Sequence, residues 1–237
     1  MLLALPRPVV TSTRVVDRIR CDSPIVLPKW HCIGVIADTH VPHRLPKLPE
    51  RMFELLQGCD VILHAGDLET PDILAQLSRL APTYAVRGNL HWQFSTGTHD
   101  QDLPLSLCFR AGPHFIWMTH GHLRFRFSLV DKVQGWQARR TPDGINRLLI
   151  ARLAAYRPRE ANIVIFGHSH RSCAVWREGV LFFNPGAVCA LNQRKPEESA
   201  RVGVLRLYDD GRIEPSWRLL ALPAAENVSH DPALPRA

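Results

Sequence analysis

Histidines and carboxylates recur in this chain immediately after apolar runs. Asn162-Ile163-Val164-Ile165-Phe166 ends in Gly167-His168-Ser169-His170. An apolar run rich in β-branched residues reads as a strand buried on both faces. In extended backbone, residues i and i+2 lie on the same side, so His168 and His170 are expected to project together from the strand end. Two imidazoles there suit a metal ion, and Gly167 lets the backbone pass close to whatever they hold. One such pair is weak evidence, since paired histidines are more often exposed or hydrogen-bonded in a core.

The arrangement recurs. Ile33-Gly34-Val35-Ile36-Ala37 runs into Asp38-Thr39-His40, and Val61-Ile62-Leu63-His64-Ala65 into Gly66-Asp67. Phe115-Ile116-Trp117-Met118-Thr119 runs into His120-Gly121-His122, and Thr83-Tyr84-Ala85-Val86 leads through Arg87 to Gly88-Asn89. Donors at the carboxyl ends of several strands converge on one crevice, where α/β proteins bind their ligands. Repetition on this scale argues for one shared site.

The elements that must position these donors follow from punctuation and periodicity. Pro49-Glu50 opens a helix through Met52, Phe53, Leu55 and Leu56, stopped by Gly58. Thr70-Pro71-Asp72 reads as a cap and first turn for a helix carrying Ile73, Leu74, Leu77 and Leu80. Leu105 to Arg110 and His114 to Thr119 flank the turn Ala111-Gly112-Pro113. A further helix starts at Thr141-Pro142, with Ile145, Leu148, Leu149, Leu153 and Tyr156 on one stripe. Short strands at Cys173 to Arg177, Val180 to Phe183, Val202 to Tyr208 and Ile213 to Leu220 close the pattern, with hairpin turns at Glu178-Gly179 and Asp209-Asp210-Gly211. The reading is α/β. Residues 1–30 form a Pro- and Arg-bearing extension expected to be loosely ordered, residues 31–222 one domain with a basic helical insertion at about 123–160, and residues 223–237 a tail.

Composition bounds the function. A chain of 237 residues with 46% apolar and 22% charged residues is ordinary for a soluble globular protein. The formal net charge of +7 makes anionic partners plausible, but arginine carries most of it, which a compositional bias explains equally well. The basic run holding Arg124, Arg126, Lys132, Arg139, Arg140, Arg147, Arg152, Arg157 and Arg159 is read by default as a solvated face. No apolar run approaches the ~18 residues that span a bilayer. The scattered cysteines, Cys21, Cys32, Cys59, Cys108, Cys173 and Cys189, form no disulfide framework and are expected to be reduced thiols of a cytoplasmic protein.

Taken in order, Asp38-x-His40, Gly66-Asp67, Gly88-Asn89, His120-Gly121-His122 and Gly167-His168-x-His170 resemble the signature of the calcineurin-like metallophosphoesterases. The resemblance covers about Ile33 to Leu220 and is nearest to the small bacterial and archaeal phosphodiesterases, a branch that also holds the scaffold subunit of retromer. It implies a four-layer αββα sandwich of two mixed β-sheets flanked by helices. It also implies two divalent transition-metal ions, Mn first and Ni, Fe, Zn or Co as alternatives, held ~3.5–4 Å apart around a phosphoryl group. By the same resemblance Asp38, His40, Asp67 and His170 hold one ion, and Asp67, Asn89, His120 and His168 the other. A hydroxide bridging the ions is the implied nucleophile, which gives Asp67, Asn89 and His120 catalytic as well as ligand roles.

One departure stands out. The superfamily commonly continues its Gly-Asn with a histidine that can protonate the leaving group, whereas here the chain reads Gly88-Asn89-Leu90-His91. Leu90 cannot donate a proton, so good leaving groups are expected to be favoured. His91 is a candidate acid only if it reaches back, since adjacent side chains of extended backbone point to opposite faces, and His122 is a candidate neighbour of the metals. His43, His64 and His114 are read as structural or exposed. The favoured activity is hydrolysis of small phosphodiesters, with monoesters as a further class. A nuclease using the basic 124–159 segment and a non-catalytic scaffold are the competing readings.

Overall fold

The computed structural model describes residues 19, 21–27, 31–89, 103–123, 144–189 and 199–220. The elements are β1 (Ile25–Val26), β2 (Cys32–Ile36), α1 (Glu50–Leu56), β3 (Val61–His64), α2 (Asp72–Leu77), β4 (Thr83–Ala85), β5 (Ser106–Ala111), β6 (His114–Thr119), α3 (Gly144–Tyr156), β7 (Ile163–Ile165), β8 (Cys173–Arg177), β9 (Val180–Asn184), β10 (Arg201–Leu207) and β11 (Ile213–Leu219). They build a six-stranded sheet, β1-β5-β6-β7-β9-β8, and a five-stranded sheet, β11-β10-β2-β3-β4. Both are mixed. In the larger sheet β6, β7 and β9 run parallel, and in the smaller one β2, β3 and β4 do. The remaining hairpins, β5–β6, β8–β9 and β10–β11, are antiparallel.

Strands buried on both faces need apolar residues at successive positions, and this dictates the layering. Ile33, Val35, Leu63, Phe109, Ile116, Met118, Ile165 and Phe183 meet between the sheets. Their neighbours point outward: Ile36 and Ile62 pack on Met52, Leu56, Ile73 and Leu77 of α1 and α2. On the opposite face Phe115, Trp117, Val164 and Phe182 pack on Leu149, Ile150 and Leu153 of α3. The result is the four-layer αββα sandwich. Each large side chain buried here contributes roughly 1.5–3 kcal/mol, and Trp117, Phe109, Phe166 and Phe183 are among the largest.

Several details depart from the sequence reading. Helix α2 begins at Asp72 and ends at Leu77, so Leu80 lies beyond it and is partly exposed. Thr141 and Pro142, expected to start α3, lie outside the described residues. Part of the expected N-terminal extension joins the sandwich: β1 pairs with β5, and the Ile19 amide donates to the Tyr156 carbonyl at 2.8 Å. That docking corrects the expectation of six reduced thiols, because Cys21 and Cys108 form a disulfide with Cα atoms 6.2 Å apart. The partners are 87 residues apart, and the β1–β5 pairing helps bring them together. Cys32, Cys59, Cys173 and Cys189 take no part in a disulfide. Among the described residues no helix is long and apolar enough to cross a membrane.

Candidate metal centre

The carboxyl ends of β2, β3 and β4 face those of β6, β7 and β9 across the sandwich, and the donor residues sit in the loops that follow. The loops are tied to one another by backbone bonds. The Asp38 amide donates to the Gly66 carbonyl at 3.0 Å, the His40 amide to the Asp67 carbonyl at 3.1 Å, and the Gly167 amide to the His120 carbonyl at 3.2 Å. Side chains add to this: Asp38 Oδ2 accepts from the His168 amide at 3.1 Å and Asp67 Oδ1 from the Asn89 amide at 2.8 Å.

Convergence does not arise from strand pleat. Strand β7 ends at Ile165 and β2 at Ile36, before the donors. Asp38, His40, Asp67, His168 and His170 all have left-handed backbone, with φ of 52°, 49°, 58°, 70° and 59°. The expectation that His168 and His170 project together from extended chain is therefore corrected. His168 Nδ1 lies 3.1 Å from Asn89 Oδ1, whereas His170 Nε2 lies 3.3 Å from Asp38 Oδ1 and 3.4 Å from His40 Nε2. Left-handed backbone costs a residue with a side chain roughly 1–2 kcal/mol. Its concentration here marks a site whose geometry the surrounding fold enforces.

Two glycines make the close approach practicable. A Cβ on Gly88 would stand 1.8 Å from Asp67 Oδ1, and one on Gly167 would stand 2.9 Å from Ala37 Cβ and 3.0 Å from Asp38 Oδ2. Neither position has room for a side chain.

The donors form two overlapping groups. His40 Nε2 is 3.9 Å from Asp38 Oδ1 and 3.7 Å from Asp67 Oδ2. His120 Nε2 is 3.3 Å from Asp67 Oδ2 and 2.9 Å from Asn89 Oδ1. The imidazoles are aimed by their other nitrogens: His40 Nδ1 pairs with Glu69 Oε1 at 2.7 Å, and His120 Nδ1 with the Ala65 carbonyl at 2.7 Å. His122 is buried beside the cluster, its ring 5.5 Å from that of His120 and 6.2 Å from that of His168. Leu90 and His91 lie outside the described residues, as does basic segment 124–143. Of the basic residues in and after α3, Arg157 is spent on the carbonyls of Pro158, Arg159 and Ala161, all at 3.0 Å.

These residues fit metal ions. Asp38 Oδ1 is fully buried, with only imidazole nitrogens closing on it, His170 Nε2 at 3.3 Å and those of His40 and His120 at 3.9 Å, a setting costly for a carboxylate unless positive charge meets it. Burial would raise the Asp38 carboxyl, but the charges of His170 and His120 outweigh it and hold it below the usual range. Burial likewise opposes charge on His120 and His170; the carboxylates overcome it, Asp67 and Asp38 lifting His120 to about 9 and Asp38 lifting His170 to about 10. The pocket thus draws positive charge inward, and mixed carboxylate, amide and imidazole donors suit transition-metal dications.

Other residues support the donors. Glu69, burial notwithstanding, is held below the ordinary carboxylate range by hydrogen bonds from His40 and His43 and by their charges. Asn184 donates to the Gly167 carbonyl and to Ser169 Oγ, both at 3.0 Å, and Asn146 of α3 donates to the Arg171 carbonyl at 3.1 Å. The sequence reading missed Glu69, Asn146 and the anchoring role of Asn184. Glu69 had one available signal, its i+2 spacing from Asp67. His64 is structural: its Nδ1 accepts from the Gly66 amide at 3.2 Å and its Nε2 lies 3.2 Å from Thr39 Oγ1. Burial drives its pKa down to about 3, so it stays neutral. His114 Nε2 lies 3.2 Å from the Tyr208 carbonyl, and His43, partly exposed, pairs with Glu69.

Comparison with known proteins agrees with this geometry. A probable metallophosphoesterase of Methanothermobacter thermautotrophicus is 32% identical over 155 residues, 65% of this chain and 76% of that protein. Vacuolar protein sorting-associated protein 29 of Schizosaccharomyces pombe is 26% identical over 195 residues, 81% of this chain and 84% of that one. Among solved structures, zinc-complexed wild-type Vps29 of Entamoeba histolytica shares the fold at a TM-score of 0.52 and 20% identity, covering 80% of this chain and 99% of its own. The calcineurin-like phosphoesterase superfamily domain matches residues 32–206, spanning every described donor loop, and the chain belongs to that superfamily.

Proposed function

We propose that the protein is a dinuclear metal-dependent phosphoesterase acting on phosphodiesters, with Asp38, His40, Asp67 and His170 around one ion and Asp67, Asn89, His120 and His168 around the other. The observation that carries this reading is the fully buried Asp38 carboxylate, its Oδ1 at the centre of three converging imidazoles. Metal ions in such a site lower the pKa of water and neutralise charge on a transferring phosphoryl group. The chain's own contribution is positional. Asp67 is the donor shared by both groups, with Oδ2 near His40 and His120 while Oδ1 is fixed by the Asn89 amide. Glu69 and the Ala65 carbonyl hold the Nδ1 protons of His40 and His120, leaving each Nε2 turned to the pocket. His122 borders the same pocket and is a candidate contact for substrate. With Leu90 where a protonating histidine is common, His91 is a candidate acid only if it reaches back.

The test is reconstitution of metal-stripped protein with Mn, Ni, Co or Zn, followed by metal analysis and assays on aryl and alkyl phosphate esters. About two ions per chain are expected, with chelation abolishing hydrolysis and aryl diesters preferred over alkyl monoesters. Metal content near zero overturns the reading. Full metal content without turnover on any ester favours a scaffold, the reading supported by the likeness to a vacuolar sorting protein. In a leaving-group series, His91→Ala is expected to cause only an even, small loss, which leaves His91 a loop residue. A loss concentrated on basic leaving groups, where a general acid contributes ~10²–10⁴-fold, overturns that reading and makes His91 the acid.

A further inference from the structure

Cys189 follows β9, the strand that extends the parallel set of the larger sheet beyond β7. Its amide donates to the Asp38 carbonyl at 3.1 Å and the preceding Val188 amide to the Ala37 carbonyl at 3.1 Å, so the loop is fastened alongside the Asp38–His40 loop. The Cys189 sulfur and ring nitrogens of His40 and His170 all lie within 4.8 Å of one another. Arg44 Nη1 stands 4.0 Å from the same sulfur. Packing alone does not account for this placement. Cys189 shares the margin of the outer core with Ala187 and Val188, where any small apolar residue would serve, yet its sulfur meets two imidazoles and a guanidinium.

Resting on the metal-centre reading above, we infer that Cys189 is a thiolate ligand of the ion held by Asp38, His40 and His170. The thiol proton is released as the sulfur–metal bond forms. A soft sulfur among imidazoles shifts the preference of this pocket away from Mn and toward Zn, Co or Fe. The centre then has unlike halves: a thiolate-bearing pocket at Asp38, His40 and His170, and an oxygen- and nitrogen-bound one at Asn89, His120 and His168.

Cobalt distinguishes the parts of this inference, because its visible d–d bands report any bound ion while a near-ultraviolet charge-transfer band reports sulfur ligation. Metal-stripped full-length protein is titrated anaerobically with Co(II), alongside Cys189→Ser, Cys189→Ala and a Cys173→Ser control. The wild type and the control are expected to show both signatures, and the Cys189 variants the d–d bands alone. The variants are also expected to lose Zn preference over Mn on the order of tenfold. Visible bands without charge transfer in the wild type overturn the thiolate and leave the metal centre standing. A charge-transfer band that survives in both Cys189 variants overturns the assignment to this residue. Failure of the wild type to bind cobalt, zinc or manganese removes the metal centre and the thiolate together.

Discussion

The two sheets bring different chemistry to the shared crevice. Loops after β2, β3 and β4 supply oxygen, from Asp38, Asp67 and Asn89, with His40 as their imidazole. Loops after β6, β7 and β9 supply His120, His168, His170 and the sulfur of Cys189. On the smaller sheet Asp38, His40 and Asp67 are buried and Asn89 is half-buried, and backbone bonds link the Asp38–His40 and Gly66–Asp67 loops. On the facing sheet His120 is equally buried and its carbonyl takes the Gly167 amide, while His168 and His170 are half-buried in a loop also held by the side chains of Asn184 and Asn146. The carboxylates thus come from one sheet, while the other supplies imidazoles at more than one depth. Ionised carboxylates at such a floor attract a cation, and the softness of the facing donors bears on which cation is preferred.

The sharpest way to break this contrast is to disturb the floor. Asp67→Ala should lose both ions, because its carboxylate is common to both donor groups. Gly88→Ala should come close to it without removing any donor, since the added methyl collides with Asp67 Oδ1 and its amide. Asn89→Ala should weaken one ion and spare the other. Metal analysis after dialysis, with circular dichroism to verify folding, decides between these outcomes. If Gly88→Ala keeps both ions, the floor is more compliant than its packing implies.

Protons sharpen the same comparison. In metal-free protein the carboxylates lift His120 to about 9 and His170 to about 10. Groups raised in the folded state add stability that is fully present below the unfolded value near 6.5 and is lost as pH rises through 9 to 10. The metal-free form should therefore lose stability between neutral pH and pH 10, while the metal-loaded form, whose ligands are already deprotonated, should not. Loading near neutral pH should release about two protons from these histidines and about one more from the Cys189 thiol where it ligates the ion. Titration calorimetry in buffers of differing ionisation enthalpy measures that number, and release near zero would mean the facing imidazoles are neutral before metal arrives.

The clamp on His40 gives the smaller effects. Glu69→Gln should weaken metal binding by ~10–100-fold, the range for a partner that orients a ligating histidine. His43→Ala should change it by only a few-fold, because His43 is partly exposed and touches Glu69 rather than the pocket. Equal effects of the two substitutions would place the clamp's importance on the outer pair instead of on His40.

Much of this was legible in the sequence because its causes are local. Apolar β-branched runs made Ile163–Ile165, Cys32–Ile36 and Val61–His64 strands, and a following Asp or His, after glycine in two of the three, marked where each run stopped. Those two facts gave the fold class and the identity of most donors. The backbone route by which the donors meet was not legible. Extended geometry predicted that His168 and His170 act side by side, whereas left-handed turns send one toward Asn89 and the other toward Asp38.

The remaining decisions belong to tertiary structure, because they depend on pairs distant in sequence. The Glu69 carboxylate reaches back to His40 across 29 residues. The pairing of β1 with β5 helps bring Cys21 to Cys108. Cys189 looked like one more scattered thiol until β9 was added beside β7 and the Asp38 carbonyl received its amide. A sequence names donors by residue type and by the end of the strand that carries them. Which donors share a pocket is set by strand order and loop handedness, since only these fix distances between residues that the chain itself keeps apart.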